Sequence, residues 1–194
     1  MPGVVAFGFC GKLPARGDFV RAGLPRDFVD AWDAWLSEVM SASQAAAGNA
    51  WLPAFLEAPV WRFVLPAGLC GAGAVVGLML PSVDRVGRYF PLTFAAVVDG
   101  RFDGADAWLD RCEDAGRAAL EQDLDPDGIK AMLRPPELAA SGAQMRVAEW
   151  WTDGSPRVGA TRRTMGGLPG AAVYAEMLGL ADGQTERMGV KPEG

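Results

Sequence analysis

The chain has 194 residues, 50% hydrophobic and 22% charged, and its 18 basic and 24 acidic side chains leave a formal charge of −6. This is the composition of a globular domain long enough to bury a core without disulfide or metal staples, and an acidic total with no basic block argues against phosphate-neutralising nucleic-acid binding and attraction to anionic lipid. Histidine is absent, which excludes Ser-His-Asp and Cys-His nucleophiles, imidazole bases and histidine-ligated zinc within the chain.

Met1 to Cys10 has no basic leader region, and Lys12, Arg16 and Asp18 interrupt any apolar core, so no signal peptide is expected. Val4–Phe9 is an apolar run ending at Gly11 and reads as a buried first strand. Pro25 opens a segment in which Phe28, Val29, Trp32, Trp35, Leu36 and Val39 recur at helical spacing, with Asp27, Asp30, Asp33 and Ser37 between them. That pattern predicts an amphipathic helix with two buried tryptophans. The alanine-rich stretch Ser41–Asn49 carries little pattern and is expected to fray into a loop, followed by a short apolar segment, Trp51–Leu56.

Phe63 to Val83 is uncharged for 21 residues, but its prolines and glycines break it. Two buried strands, Trp61–Leu65 and Ala74–Leu80, joined by a glycine-rich turn, are expected in place of a membrane span. A cytoplasmic, soluble protein with no direct membrane insertion follows. Pro91–Val98 reads as another buried strand closed by Asp99–Gly100. Asp103 is expected to cap a helix lined by Trp108, Leu109, Cys112, Ala115, Ala119 and Leu120. A shorter helix, Gly128–Leu133, should stop at Pro135–Pro136. Arg146–Thr152 reads as a last strand and Gly170–Leu178 as a last helix ending at Gly179. The expected organisation is one layered α/β domain over residues 1–180 with a mixed sheet, and a polar, flexible tail over 181–194. Cys10, Cys70 and Cys112 are widely spaced and odd in number, which suits buried free thiols in a reducing compartment.

Several short matches fail on chemistry. Gly11-Lys12 lacks the glycine and hydroxyl of a phosphate loop, since Ala6 and Leu13 stand at those positions. Gly71 to Gly77 runs into strand formers where a dinucleotide fingerprint must open a helix. The run Asp123 to Gly128 starts like a calcium loop, but Arg134 stands where calcium needs a glutamate, so a turn with a capping aspartate is expected. Arg16-Gly17-Asp18 is an adhesion tripeptide only on an extracellular loop.

Two segments demand more. Residues 11–20 place two glycines, a proline and three charges directly after a strand. In residues 81–92, Asp84, Arg85 and Arg88 sit between apolar strands. Asp84 can pair with Arg85 or Arg88 to hold the fold, or the arginines can face a partner. On a strand, Trp150 and Trp151 point to opposite faces, and an exposed one would suit an interface.

These segments together resemble the TagF family of type VI secretion-associated proteins. The resemblance rests on Gly11-Lys12-Leu13-Pro14, Gly17-Asp18-Phe19-Val20, Trp32-Asp33, Trp35-Leu36, Trp61-Arg62-Phe63, the run from Pro81 to Arg88, and Phe90-Pro91-Leu92. It continues in Trp150-Trp151-Thr152 and Gly167-Leu168-Pro169. It implies a layered α/β/α sandwich, in agreement with the element order, from which a mixed, largely antiparallel sheet is expected. It also implies a bacterial cytoplasmic accessory protein, not an enzyme, that represses the type VI apparatus after translation in connection with the forkhead-associated scaffold Fha. Some relatives carry a fused PppA-type phosphatase domain, which is not expected in this chain. No cofactor, metal or nucleic acid is implied. The partner-contact candidates are Lys12, Gly17, Asp18, Ser82, Asp84, Arg85, Arg88 and Trp151. A structural subunit of the apparatus is the alternative, as is a ligand-binding or hydrolytic domain using Asp18, Asp84 or Lys12 as its base.

Overall fold

The computed structural model describes residues 3–100, 102–140 and 146–180. Seven strands form one open sheet: β1 (Gly3–Gly11), β2 (Val20–Ala22), β3 (Trp61–Leu65), β4 (Ala74–Leu80), β5 (Leu92–Asp99), β8 (Ala148–Thr152) and β9 (Thr161–Met165), in the order β2-β1-β5-β4-β3-β8-β9. The remaining two, β6 (Phe102–Asp103) and β7 (Ala139–Ala140), make a separate short pair. The layered α/β fold class expected from the sequence is observed, with one refinement. Every pairing among these strands is antiparallel, so the sheet holds no parallel neighbours and is not mixed. Short links between consecutive strands account for the β1–β2, β3–β4, β4–β5 and β8–β9 pairings, because parallel neighbours need long crossovers; β1–β5 and β3–β8 pair strands remote in sequence.

Central strands β4 and β5 are buried on both faces, which is why they read as unbroken apolar runs. One face carries α1 (Arg26–Ala47), α2 (Trp51–Leu56) and α5 (Ala171–Met177); the other carries α3 (Asp106–Glu121) and α4 (Pro126–Met132). Phe28, Trp32, Trp35, Phe63 and Trp150 pack together in the first core, and Phe9, Phe94, Trp108 and Leu109 in the second. Trp32 and Trp150 stack with centroids 6.0 Å apart.

Tryptophans also stitch the layers through their indole N–H groups. Trp32 donates from α1 to Thr93 Oγ1 on β5 at 2.9 Å, and Trp35 to the Pro169 carbonyl ahead of α5 at 2.7 Å. Trp61 donates to the Met177 carbonyl at 2.9 Å and Trp108 to the Arg134 carbonyl at 2.8 Å. Such acceptors offset the cost of taking an indole N–H out of water, a cost left unmet at Trp150, whose Nε1 is buried with no partner among the described residues.

Three expectations are corrected. The alanine-rich stretch does not fray: α1 runs to Ala47, alanine being the best helix former. Ser43 is buried there, donating to the Met40 carbonyl at 3.0 Å and accepting from Trp51 Nε1 at 2.9 Å. Asp103 caps nothing; it lies in β6, and α3 begins three residues later with Ala105 at its cap. Strands β2 and β9 give no apolar run and escaped the sequence reading, because an edge strand needs little hydrophobic surface. By contrast Asp125 caps α4 as expected, accepting from the Gly128 amide at 2.9 Å. Phe63 to Val83 contributes β3, a turn and β4, and no helix among the described residues is long and apolar enough to cross a membrane. The tail expected from Ala181 lies outside the described residues.

All three cysteines are buried and unpaired. Burial pushes the Cys10 thiol up to about 12, helped by Asp33, the Cys70 thiol to about 11, and Cys112 to about 12 against the opposing charge of Arg111. Thiolate is the reactive form, so at pH 8 an alkylating reagent is expected to leave the native protein unlabelled and to modify three thiols after denaturation. Rapid labelling of the native chain, read by intact mass, would contradict this packing.

Candidate functional site

Antiparallel pairing brings most of the informative loops to one end of the sheet. The registers Cys10↔Thr93, Leu80↔Leu92, Trp61↔Met79, Arg62↔Trp151 and Thr152↔Thr161 place there the end of β1, the start of β5, the end of β4, the start of β3 and the β8–β9 turn. Residues 12–19 and 81–91, seventy positions apart, are neighbours as a result.

Asp84 is the centre of this end. Its side chain is fully shielded from solvent and accepts from the amides of Val86 at 3.0 Å and Arg88 at 2.9 Å and from Arg88 Nε at 2.7 Å, with Lys12 Nζ 3.5 Å away. Burial by itself raises the Asp84 carboxyl, but the Arg88 amide and guanidinium, the Val86 amide and the Lys12 charge outweigh it and bring the pKa down to about 2. The backbone closes the same turn. The Asp84 amide donates to the Arg88 carbonyl and the Gly87 amide to the Asp84 carbonyl, both at 3.0 Å, and Gly87 has φ +85°, a conformation glycine adopts without strain.

This turn is tied to the first loop at every level. Ser82 Oγ donates to the Lys12 carbonyl at 2.7 Å, the Arg85 amide to the Arg16 carbonyl at 2.9 Å, and Arg88 Nη2 to the Gly17 carbonyl. Phe19 meets Phe90 edge-on with centroids 5.6 Å apart. Six of the candidate residues, Lys12, Gly17, Ser82, Asp84, Arg85 and Arg88, are therefore brought into one structure, in which Asp84 pairs with Lys12 and, of the two arginines, with Arg88, leaving Arg85 at the surface. Asp18 stands beside them, exposed.

Trp151 does not join them by any hydrogen bond or ion pair among the described residues. It alternates with Trp150 as the sequence predicts: Trp150 is fully buried on the α1 side, and Trp151 is half-buried on the α3 side with the Arg162 guanidinium 4.7 Å above its ring. Beside it in register, Arg62 binds Asp110 at 2.8 Å and Glu113 at 3.0 Å, fastening β3 to α3. Sequence reasoning missed this cluster and also Val86, which is 67% exposed at the tip of the Asp84 turn. The only signal for Val86 was an apolar residue among charges.

The surroundings of Asp84 do not suit it to general-base chemistry. A general base works best with a pKa near the working pH, and a carboxylate at about 2, holding three hydrogen-bond donors beside the Lys12 charge, is far from that. What the turn offers is a rigid display of Arg85 and Val86.

Comparisons with known proteins agree with this motif set. Residues 8–135 match the family described as TagF N-terminal domain, type VI secretion system-associated. No curated protein matches the chain. Among solved structures, the chain is similar to that of PA0076 from Pseudomonas aeruginosa PAO1, with 36% sequence identity, a TM-score of 0.78, and coverage of 89% of this chain and 93% of that one. With the family match spanning both loops of the Asp84 tie, the chain belongs to the TagF N-terminal domain family, associated with the type VI secretion system.

Proposed function

We propose that this protein is a non-enzymatic cytoplasmic accessory factor that represses assembly of the type VI apparatus after translation, by binding the forkhead-associated scaffold Fha through the tip of the Asp84 turn. The observation that carries this reading is the exposure of Val86 beside Arg85 on a turn that five backbone and side-chain bonds hold in place. A partner that docks on such a turn loses little binding free energy to ordering it. Asp18 and the 37%-exposed Phe19 extend the same surface.

Repression requires only that the scaffold's inactive state bind better than its active one, and about 1.4 kcal/mol of preference changes the ratio tenfold. The test is the affinity of the purified protein for Fha from the same cell, beside an Arg85→Glu/Val86→Asp variant. Neither side chain supports the Asp84 tie, so the variant should keep the wild-type melting temperature while binding at least tenfold more weakly. Undiminished binding would move the contact elsewhere, and no binding by the wild type would sink direct scaffold repression. In cells, loss of a repressor raises secretion, whereas loss of a structural subunit abolishes it.

A further inference from the structure

At the same end of the sheet, beyond Pro81, a groove of about 470 Å³ opens between the β3 entrance, the C-terminal turn of α3 and the turn after β8. Its apolar base is buried Leu80 with half-buried Val60 and Leu120. Pro59, Pro81 and Pro156 line its walls. Proline fixes φ and offers no N–H, so these walls are already rigid before anything binds. The size falls within the range of built binding clefts.

Charge decides what the groove fits. Its charged lining is Glu57, Arg117 and Glu121, and the first two are already committed: Glu57 lies 2.5 Å from Arg157 Nε, and Arg117 Nη2 lies 2.6 Å from Glu113. Glu121 at the end of α3 is exposed on the rim and has no ion-pair partner among the described residues. The uncompensated charge of the rim is therefore negative, in a chain whose net charge is −6. Complementarity favours a cation beside an apolar group.

We infer that this groove docks an extended segment of a partner protein, seating an apolar side chain over Val60, Leu80 and Leu120 while a lysine or arginine of that segment pairs with Glu121. This surface is distinct from the Arg85–Val86 tip, and the inference stands whichever partner meets the tip.

The experiment selects a phage-displayed library of random twelve-residue peptides on the immobilised full chain. The enriched peptide is then synthesised and titrated against wild type, Glu121→Gln and Glu121→Lys, with melting temperatures confirming that both variants fold. The expected result is enrichment of peptides that carry an apolar residue next to lysine or arginine. Their binding should weaken at least tenfold in Glu121→Lys and less in Glu121→Gln, and amide shifts should centre on Val60, Leu120 and Gly154. Overturning results are no enrichment over a blank surface, acidic peptides, affinity indifferent to Glu121→Lys, or shifts centred elsewhere. A wild-type dimer that Glu121→Lys dissociates, seen by sedimentation, would make the occupant a second copy and also overturn the proposal.

Discussion

Replacing Asp84 with alanine is expected to lower the thermal midpoint by several degrees and to release the 81–91 turn from the 12–19 loop. The substitution orphans two amides, Val86 and Arg88, and leaves the Lys12 ammonium and the Arg88 guanidinium without their shared counter-ion. The half-exposed Arg88 guanidinium regains water, but the part-buried Val86 and Arg88 amides and the largely covered Lys12 ammonium lose an acceptor they cannot fully replace. Hydrogen exchange should show the loss locally, with protection of the Val86 and Arg88 amides falling before that of β4 and β5. An unchanged midpoint with unchanged protection would refute the fastening role.

The same group sets a pH signature. The folded pKa, about 2, lies below the ordinary carboxyl value of 3.8. The stability contributed by ionised Asp84 is therefore full above about pH 4 and is lost as the pH falls from there through about 2. The stability gap between wild type and Asp84→Asn should be constant from pH 7 to pH 5 and narrow between pH 4 and 2. Comparing the two proteins removes the contributions of Glu113 and Asp127, also lowered by their cationic partners. A gap that stays constant through pH 2 would contradict the assignment.

Replacing Gly11 with alanine is expected to destabilise the protein by about 3 kcal/mol or more, a large share of a typical folding free energy of roughly 5–15 kcal/mol. Gly11 ends β1 with φ +133°, where a side chain is strained, and an added Cβ would lie 2.2 Å from the Pro91 carbonyl oxygen and 2.9 Å from Leu92 Cα. All of these atoms are backbone of the Pro91–Leu92 segment, which cannot yield as a flexible side chain could. Gly17→Ala is the matched control: nothing lies within 4 Å of its Cβ position, so the expected change is within about 0.5 kcal/mol. Denaturant titration of the pair decides it, and equal effects would dismiss the steric account.

Much of the architecture is legible in the residues because burial repeats along the chain. The spacing of Phe28, Trp32, Trp35 and Val39 announces α1, and the apolar runs at Ala74–Leu80 and Leu92–Asp99 announce strands covered on both faces. The edge strands β2 and β9 are hidden because they carry no such repeat; β9 even bears Arg162 and Arg163. Strand order is hidden too, since pairing β1 with β5 depends on contacts remote in sequence.

For the candidate site, the composition of Gly11–Val20 and Pro81–Leu92 was enough to single out both segments, because charges and turn residues crowded between buried strands have no role in a plain core. The sequence by itself left Asp84 with two possible arginines, and local spacing favours neither. Only the tertiary structure chose, by folding the turn so that the amides of Val86 and Arg88 and the Arg88 guanidinium converge on the carboxylate while Arg85 stays exposed. Likewise, only the structure joined Ser82 to Lys12 and Arg85 to Arg16. Hydrogen bonds between loops seventy residues apart follow from sheet register, and register is a property of the assembled strands, not of either loop.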